Sequence, residues 1–228
     1  MAKQGKKHST YKQKTQQHIP RLHPLTRKQE ALIHAIEGNQ MVVTTGSPGT
    51  GKTYVPASLA ARAYLREDID YIILTRPNVS QSKSLGFRPG DMIEKAWEWF
   101  AEVLSVLEKW LQPGGLYTAM KKGNIQIVPF ETMRGRSFNN GFVFLDEAQN
   151  TTVDEMKMFV TRIGDANVVL NGDINQSDIG ANSGLRRALD IIRACGMDVP
   201  VIEFDHEDIV RSELCKQWIV NWEDYHAR

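Results

Sequence analysis

Residues Gly46-Ser47-Pro48-Gly49-Thr50-Gly51-Lys52-Thr53 read GxxxxGKT, and they lie between an apolar, β-branched run and a helix-forming segment. This octapeptide limits the fold more than any other stretch. Its glycines let the backbone curl so that successive N–H groups point inward, where phosphate oxygens can accept from them. A helix starting near Lys52 directs the positive end of its dipole at the same place. Such a loop works only between a buried strand and a helix, and the run 41–45 (MVVTT) and the segment 52–66 supply them. Gly46, Ser47, Pro48, Gly49, Thr50, Gly51, Lys52 and Thr53 are therefore the candidate ligands of a nucleotide. Lys52 is suited to the β- and γ-phosphates of ATP and Thr53 to its Mg²⁺.

The rest of the chain repeats the alternation. Helices are expected over 27–37, 91–111, 152–163, 183–195 and 213–223, with Thr26 as cap of the first and a stop before Pro113-Gly114-Gly115. Strands are expected at 71–75 (YIILT), 125–128, 142–145 (FVFL), 167–170 (NVVL) and 199–204. The strands are continuous apolar runs, as a sheet covered on both faces requires. The expectation is an α/β fold with a mostly parallel sheet and helices on both faces, whose ligands lie at the carboxyl ends of the strands.

Two further motifs fall at those ends. Phe142–Leu145 delivers Asp146-Glu147 at the end of a buried strand. Asp146 is suited to hold Mg²⁺ through its water shell, and Glu147 to polarise an attacking water. That glutamate argues for hydrolysis over passive binding. The strand ending at Leu170 leads into Asn171-Gly172-Asp173-Ile174-Asn175-Gln176, where Gln176 is placed to sense a γ-phosphate or orient water; an ordinary Asn-Gly-Asp turn is the alternative.

Composition separates a tail from a body. Residues 1–29 hold eight Lys/Arg and no carboxylate, leaving 20 basic against 27 acidic residues in the remainder. Residues 1–24 have almost no aliphatic side chains and read as a flexible basic tail before a single domain at 25–228, either a bare solvated arm or a nonspecific nucleic-acid tether. No run is long and apolar enough to span a membrane, and no secretory signal is visible. Two cysteines, Cys195 and Cys215, cannot build a disulfide scaffold, which fits a reducing, cytoplasmic setting. The loop 76–90 carries Arg76, Lys83 and Arg88 with Phe87 among small polar residues. It suits a single-stranded phosphate backbone, with a plain solvated hairpin as the alternative. Trp97 falls on an apolar stripe of the long helix, Trp99 and Trp110 fall off it and could serve a subunit interface, and Trp218 and Trp222 read as packing. His206, among Asp205, Glu207 and Asp208, reads as solvated helix-start charge.

Taken together these segments resemble the PhoH family in its short, single-domain form, over about residues 25–224. Thr26-Arg27-Lys28-Gln29 is similar to the upstream glutamine motif of superfamily 1 helicases, Met133-Arg134-Gly135-Arg136-Ser137-Phe138 to the family's MRGR signature, and Asp146-Glu147-Ala148-Gln149-Asn150 to its Walker B segment. The resemblance implies a RecA-like ATPase with Gln29 at the adenine edge and Gln176 in a motif III position. It also implies action on RNA, with Arg211 resembling a motor arginine that contacts the γ-phosphate. Where family members carry His and Pro after that arginine, this chain has Ser212-Glu213. No PIN or KH domain is expected. For a single lobe, a homo-oligomeric ring, a hexamer favoured, would let a neighbour complete the site, with Arg134 and Arg136 as rivals to Arg211 for an arginine acting in trans. RNA or single-stranded DNA is the expected partner, and a phage-encoded chain would work in host cytoplasm. The alternative is a nucleotide-gated assembly module without helicase activity.

Overall fold

A computed structural model describes residues 19–77 and 92–226. Lys83, Arg88, Phe87 and most of the basic tail lie outside the described residues, as do the side chains of Ile93, Ala96 and Trp97.

The chain runs α1 (Arg27–Gly38), β1 (Met41–Gly46), α2 (Tyr54–Leu65), β2 (Tyr71–Thr75), α3 (Met92–Leu111), α4 (Pro113–Lys121), β3 (Ile125–Ile127), β4 (Gly141–Leu145), α5 (Val153–Val160), β5 (Asn167–Gly172), α6 (Gly184–Cys195), β6 (Val201–Phe204) and α7 (Glu213–His226). The strands form one sheet in the order β3-β2-β4-β5-β1-β6, and every adjacent pair is parallel. The continuous apolar runs divide by parity between two cores. Val42, Ile72, Leu74, Phe142 and Phe144 face the cluster that includes residues of α1 to α4, while Val43, Ile73, Val143, Leu145, Val168 and Leu170 face the one that includes residues of α5 and α6. The apolar residues of the central strands thus meet an apolar cluster on whichever face they point to, which is why no polar alternation is visible in those runs.

Local signals set the helix starts. Thr26 Oγ1 accepts from the backbone N–H of Gln29 at 3.2 Å and opens α1. Thr152 and Glu155 close a reciprocal capping box at α5. Three expectations need correction. Pro113 does not merely stop the preceding helix; it occupies the first turn of α4, where its missing N–H costs nothing. The long helix α3 is interrupted at Phe100 (φ −120°, ψ 25°). Trp218 and Trp222 do not pack inside: they are 64% and 63% exposed and share an outward row on α7 with Leu214 and Tyr225. Glu223 gives α7 a polar tie to the body. Glu223 Oε2 meets His206 Nε2 at 2.6 Å, and its Oε1 accepts from Ser47 Oγ at 3.5 Å. His206 is therefore a partner of α7 as well as part of the turn His206–Asp208. Trp99 and Trp110 are half-buried against the first core, with the Arg62 guanidinium 5.9 Å from the Trp110 ring.

Candidate nucleotide site

Strands β4, β5 and β1 are neighbours, and their carboxyl ends bring the three motifs together. Gly46 closes β1 with φ +116° opposite Phe204 of β6, and a Cβ there would fall 1.9 Å from the Phe204 carbonyl oxygen. Only glycine lets the loop leave the strand so close to another backbone. Gly49 and Gly51 also have positive φ, at 77° and 92°. Thr50 Oγ1 donates to Ser47 O at 3.0 Å, and the Val210 N–H donates to Gly49 O at 2.9 Å. Lys52 Nζ donates to Gly46 O at 2.8 Å and Ser47 O at 3.1 Å. Burial lowers its pKa from the ordinary lysine value, opposed by the charges of Asp173, Glu147 and Asp146.

Asn171 stands at the centre. It is 2% exposed and is the next-to-last residue of β5, between the other two motifs. Its Nδ2 donates to Asp146 Oδ1 at 2.7 Å and to Thr53 Oγ1 at 3.3 Å, while its Oδ1 accepts from Thr44 Oγ1 at 3.2 Å. One amide thus holds the two oxygen groups expected to face a metal. Burial raises the Asp146 pKa, and the neighbouring Glu147 charge adds to it; the Asn171 bond and Arg76 oppose the rise. Burial likewise raises that of Asp173.

Glu147 adopts left-handed backbone angles (φ 52°, ψ 37°), uncommon for a residue with a side chain. Its Oε2 accepts from Gln149 Nε2 at 2.6 Å, and its Oε1 lies 3.9 Å from Arg76 Nη2. Gln149, 1% exposed, uses its Oε1 to accept from the Asp173 N–H at 3.0 Å, so it ties the end of β4 to that of β5.

These groups border an open cleft of about 600 Å³, within the usual range for small-molecule sites. Pro48, Gly49, Gly51, Lys52, Thr53, Asp146, Glu147, Gln176 and Arg211 line it. Arg211 lies against the loop of its own chain, its Cγ 2.9 Å from where a Cβ on Gly49 would be. Gln29 also borders the cleft, but it is 3% exposed and engaged: its Oε1 accepts from Leu25 N at 2.9 Å and its Nε2 donates to Thr50 O at 2.9 Å. It therefore braces the phosphate loop. Arg134 and Arg136 do not line the cleft; they are exposed beside β3, where Arg136 Nη1 donates to Gln126 Oε1 at 3.2 Å. Arg76 points at Glu147 and at the Trp99 carbonyl. Sequence reasoning did not single out Asn171, Gln149 or the α3 residues Glu102 and Lys109 on the cleft wall. The one available signal was a third apolar strand ending in a polar residue.

The family model described as "PhoH-like protein" matches residues 21–223. The chain is 43% identical to Protein PhoH of Escherichia coli K12 over 202 residues, covering 85% of this chain and 57% of that protein. It is 39% identical to a PhoH-like protein of Mycobacterium tuberculosis H37Rv over 210 residues, covering 91% and 58%. The chain thus spans under two thirds of the length of these relatives. Among solved structures, the UvsW helicase of bacteriophage T4 is similar in fold, with a TM-score of 0.50 at 12% identity over 81% of this chain and 61% of that one. Among the described residues, no helix is long and apolar enough to cross a membrane.

Proposed function

The chain belongs to the PhoH-like protein family, and from that premise we propose that it is an ATP hydrolase. We further propose that it couples turnover to RNA or single-stranded DNA as a homo-oligomeric ring. One observation carries the hydrolytic reading: Asn171 joins Thr53 of the phosphate loop to Asp146 at the end of β4, with Glu147 next in the chain. A passive nucleotide site needs the first two; the added carboxylate on the cleft wall is what an attacking water needs.

The donor set fits Mg²⁺, because Thr53 and Asp146 offer hard oxygens held by one amide. When bound, that ion would offset charge on the β- and γ-phosphate oxygens. The remaining work falls to this chain's own groups. Loop N–H groups and Lys52 receive the phosphates, Glu147 accepts a proton from water at a carboxylate oxygen, and Gln176 orients that water. Arg211 acts in cis on the phosphate end. Arg134 and Arg136, outside the cleft, remain available to a neighbouring copy.

The test is ATP turnover of the intact chain and of E147Q, with and without single-stranded RNA, alongside mass in solution. Wild-type turnover that E147Q lacks, with ATP binding retained, is the expected result. Equal turnover in both removes the hydrolytic reading. ATP-dependent assembly without turnover would replace it with a nucleotide-gated assembly module.

A further inference from the structure

We propose that Arg76 is the positioning residue that fixes the Glu147 carboxylate for hydrolysis, an inference that rests on the hydrolytic reading above. The loop that begins at Arg76 was expected to meet a polynucleotide. In the structure this guanidinium is turned inward instead.

Glu147 lies just beyond β4 in a left-handed conformation, so neither a strand ladder nor a regular helix sets the aim of its side chain. The aim must come from side-chain partners, and each carboxylate oxygen has one. Oε2 accepts from Gln149 Nε2 at 2.6 Å, and Gln149 is itself buried and bound to the Asp173 N–H. A single fixed point still allows the carboxylate to swing about it. The second point is Arg76 Nη2, 3.9 Å from Oε1.

Arg76 is well placed to hold that point. Its backbone follows Thr75, whose carbonyl accepts from the Asp146 N–H at 2.9 Å, so its root is locked to the end of β4. Its Nη1 donates to the Trp99 carbonyl at 2.8 Å, beside Phe100, where α3 leaves helical geometry. A planar guanidinium anchored by one hydrogen bond holds its other nitrogen in a fixed direction, here within ion-pair reach of Oε1 at 3.9 Å, which a freely rotating ammonium does less well. Its charge also offsets the repulsion between the adjacent carboxylates Asp146 and Glu147. Glu147 lines the nucleotide cleft and Arg76 does not. Arg76 therefore acts through Glu147 and does not touch the nucleotide.

Freeing one end of a general base lets it drift by about 1 Å, a misplacement that costs on the order of 100-fold in rate. The test uses the full chain with R76A, R76K and E147Q, reading ATP turnover and the affinity for a fluorescent oligouridylate. R76A is expected to lower kcat about 10- to 100-fold while KM for ATP stays within about threefold. Millimolar guanidinium should restore part of the R76A rate and none of the E147Q rate, and R76K should recover less than guanidinium does. Oligouridylate affinity should not change.

Wild-type kcat in R76A, or weakened oligouridylate binding with kcat intact, overturns the inference and returns Arg76 to polynucleotide contact. Should R76A fail to fold by thermal melting, R76K decides: lowered kcat at steady KM supports positioning, and wild-type kcat overturns it. Equal turnover in wild type and E147Q is the distinct signature of a failed hydrolytic reading, and it takes this inference down as well.

Discussion

The substitution N171D changes one atom at the centre of the site and has a calculable cost. Asn171 Nδ2 lies 2.7 Å from Asp146 Oδ1 and donates to it. Aspartate keeps the acceptor that serves Thr44 and replaces the donor with an oxygen. A charge-assisted hydrogen bond worth about 1.5–3 kcal/mol is lost. Two carboxylates about 4 Å apart repel by about 4 kcal/mol at an effective dielectric near 20. The full penalty, roughly 5–7 kcal/mol, applies only if both remain ionised; otherwise the pair shares a proton. That shared proton has a folded pKa raised above the unfolded one. The folded chain then binds more protons than the unfolded chain, so stability falls as pH rises and returns on acidification. Thermal melting of N171D against wild type at pH 5 and pH 8 reads this directly. The melting temperature should drop at pH 8 by up to roughly 10–28 °C, given about 2–4 °C per kcal/mol for a chain of this size, and by much less at pH 5. Parallel curves for the two proteins across that range would refute the reasoning, since Asp146 would then not be bound by this amide.

Three further outcomes are expected. G46A places a Cβ against the Phe204 carbonyl in a backbone region glycine alone tolerates, so it should cost about 3 kcal/mol or more by chemical denaturation and abolish nucleotide binding by calorimetry. D173N keeps the acceptor for the Asn175 N–H but removes a buried charge whose pKa burial has raised. It should raise the melting temperature of the nucleotide-free chain, more at pH 8 than at pH 5, because the cost of an acid with a raised folded pKa appears as pH increases. K28A removes an ammonium shared between exposed Asp205, at 2.5 Å, and buried Asp208, at 3.3 Å; the Lys28–Asp205 pair is exposed and screened, so its share of the loss should stay below about 1 kcal/mol and shrink in high salt.

The α/β architecture and the strand ends were legible in the residues because their causes are local and periodic. Buried parallel strands need continuous apolar runs, and the runs at Met41, Tyr71, Phe142 and Asn167 all became strands. The phosphate loop was legible because only glycine meets its backbone angles, and those angles are realised at Gly46, Gly49 and Gly51. The errors have local causes too. Pro113 is compatible with both the end of one helix and the start of the next, and sequence reasoning took the first when the chain does both. The Trp218 and Trp222 pair has the spacing of a packed stripe, but spacing fixes only that the two share a face, not that the face meets the body.

The wiring between motifs was not legible, and the reason is topological. Asn171, Gln149 and Arg76 each join groups far apart in sequence, and a sequence does not say which strand lies between which. Once β5 is inserted between β1 and β4, its last polar side chain must face both neighbours' ends. Gln29 makes the same point from the other direction. A motif resemblance implied a residue reading a base, yet both ends of its amide are already bound, to Leu25 and Thr50. A base could recruit that amide only through its remaining hydrogen and lone pair, or by breaking the brace that holds Thr50. Selectivity for adenine through Gln29 therefore comes at a cost in loop rigidity. A Q29A chain that lost affinity for ATP and GTP by the same factor would identify the residue as a brace, whereas a loss confined to ATP would restore it as a reader of the base.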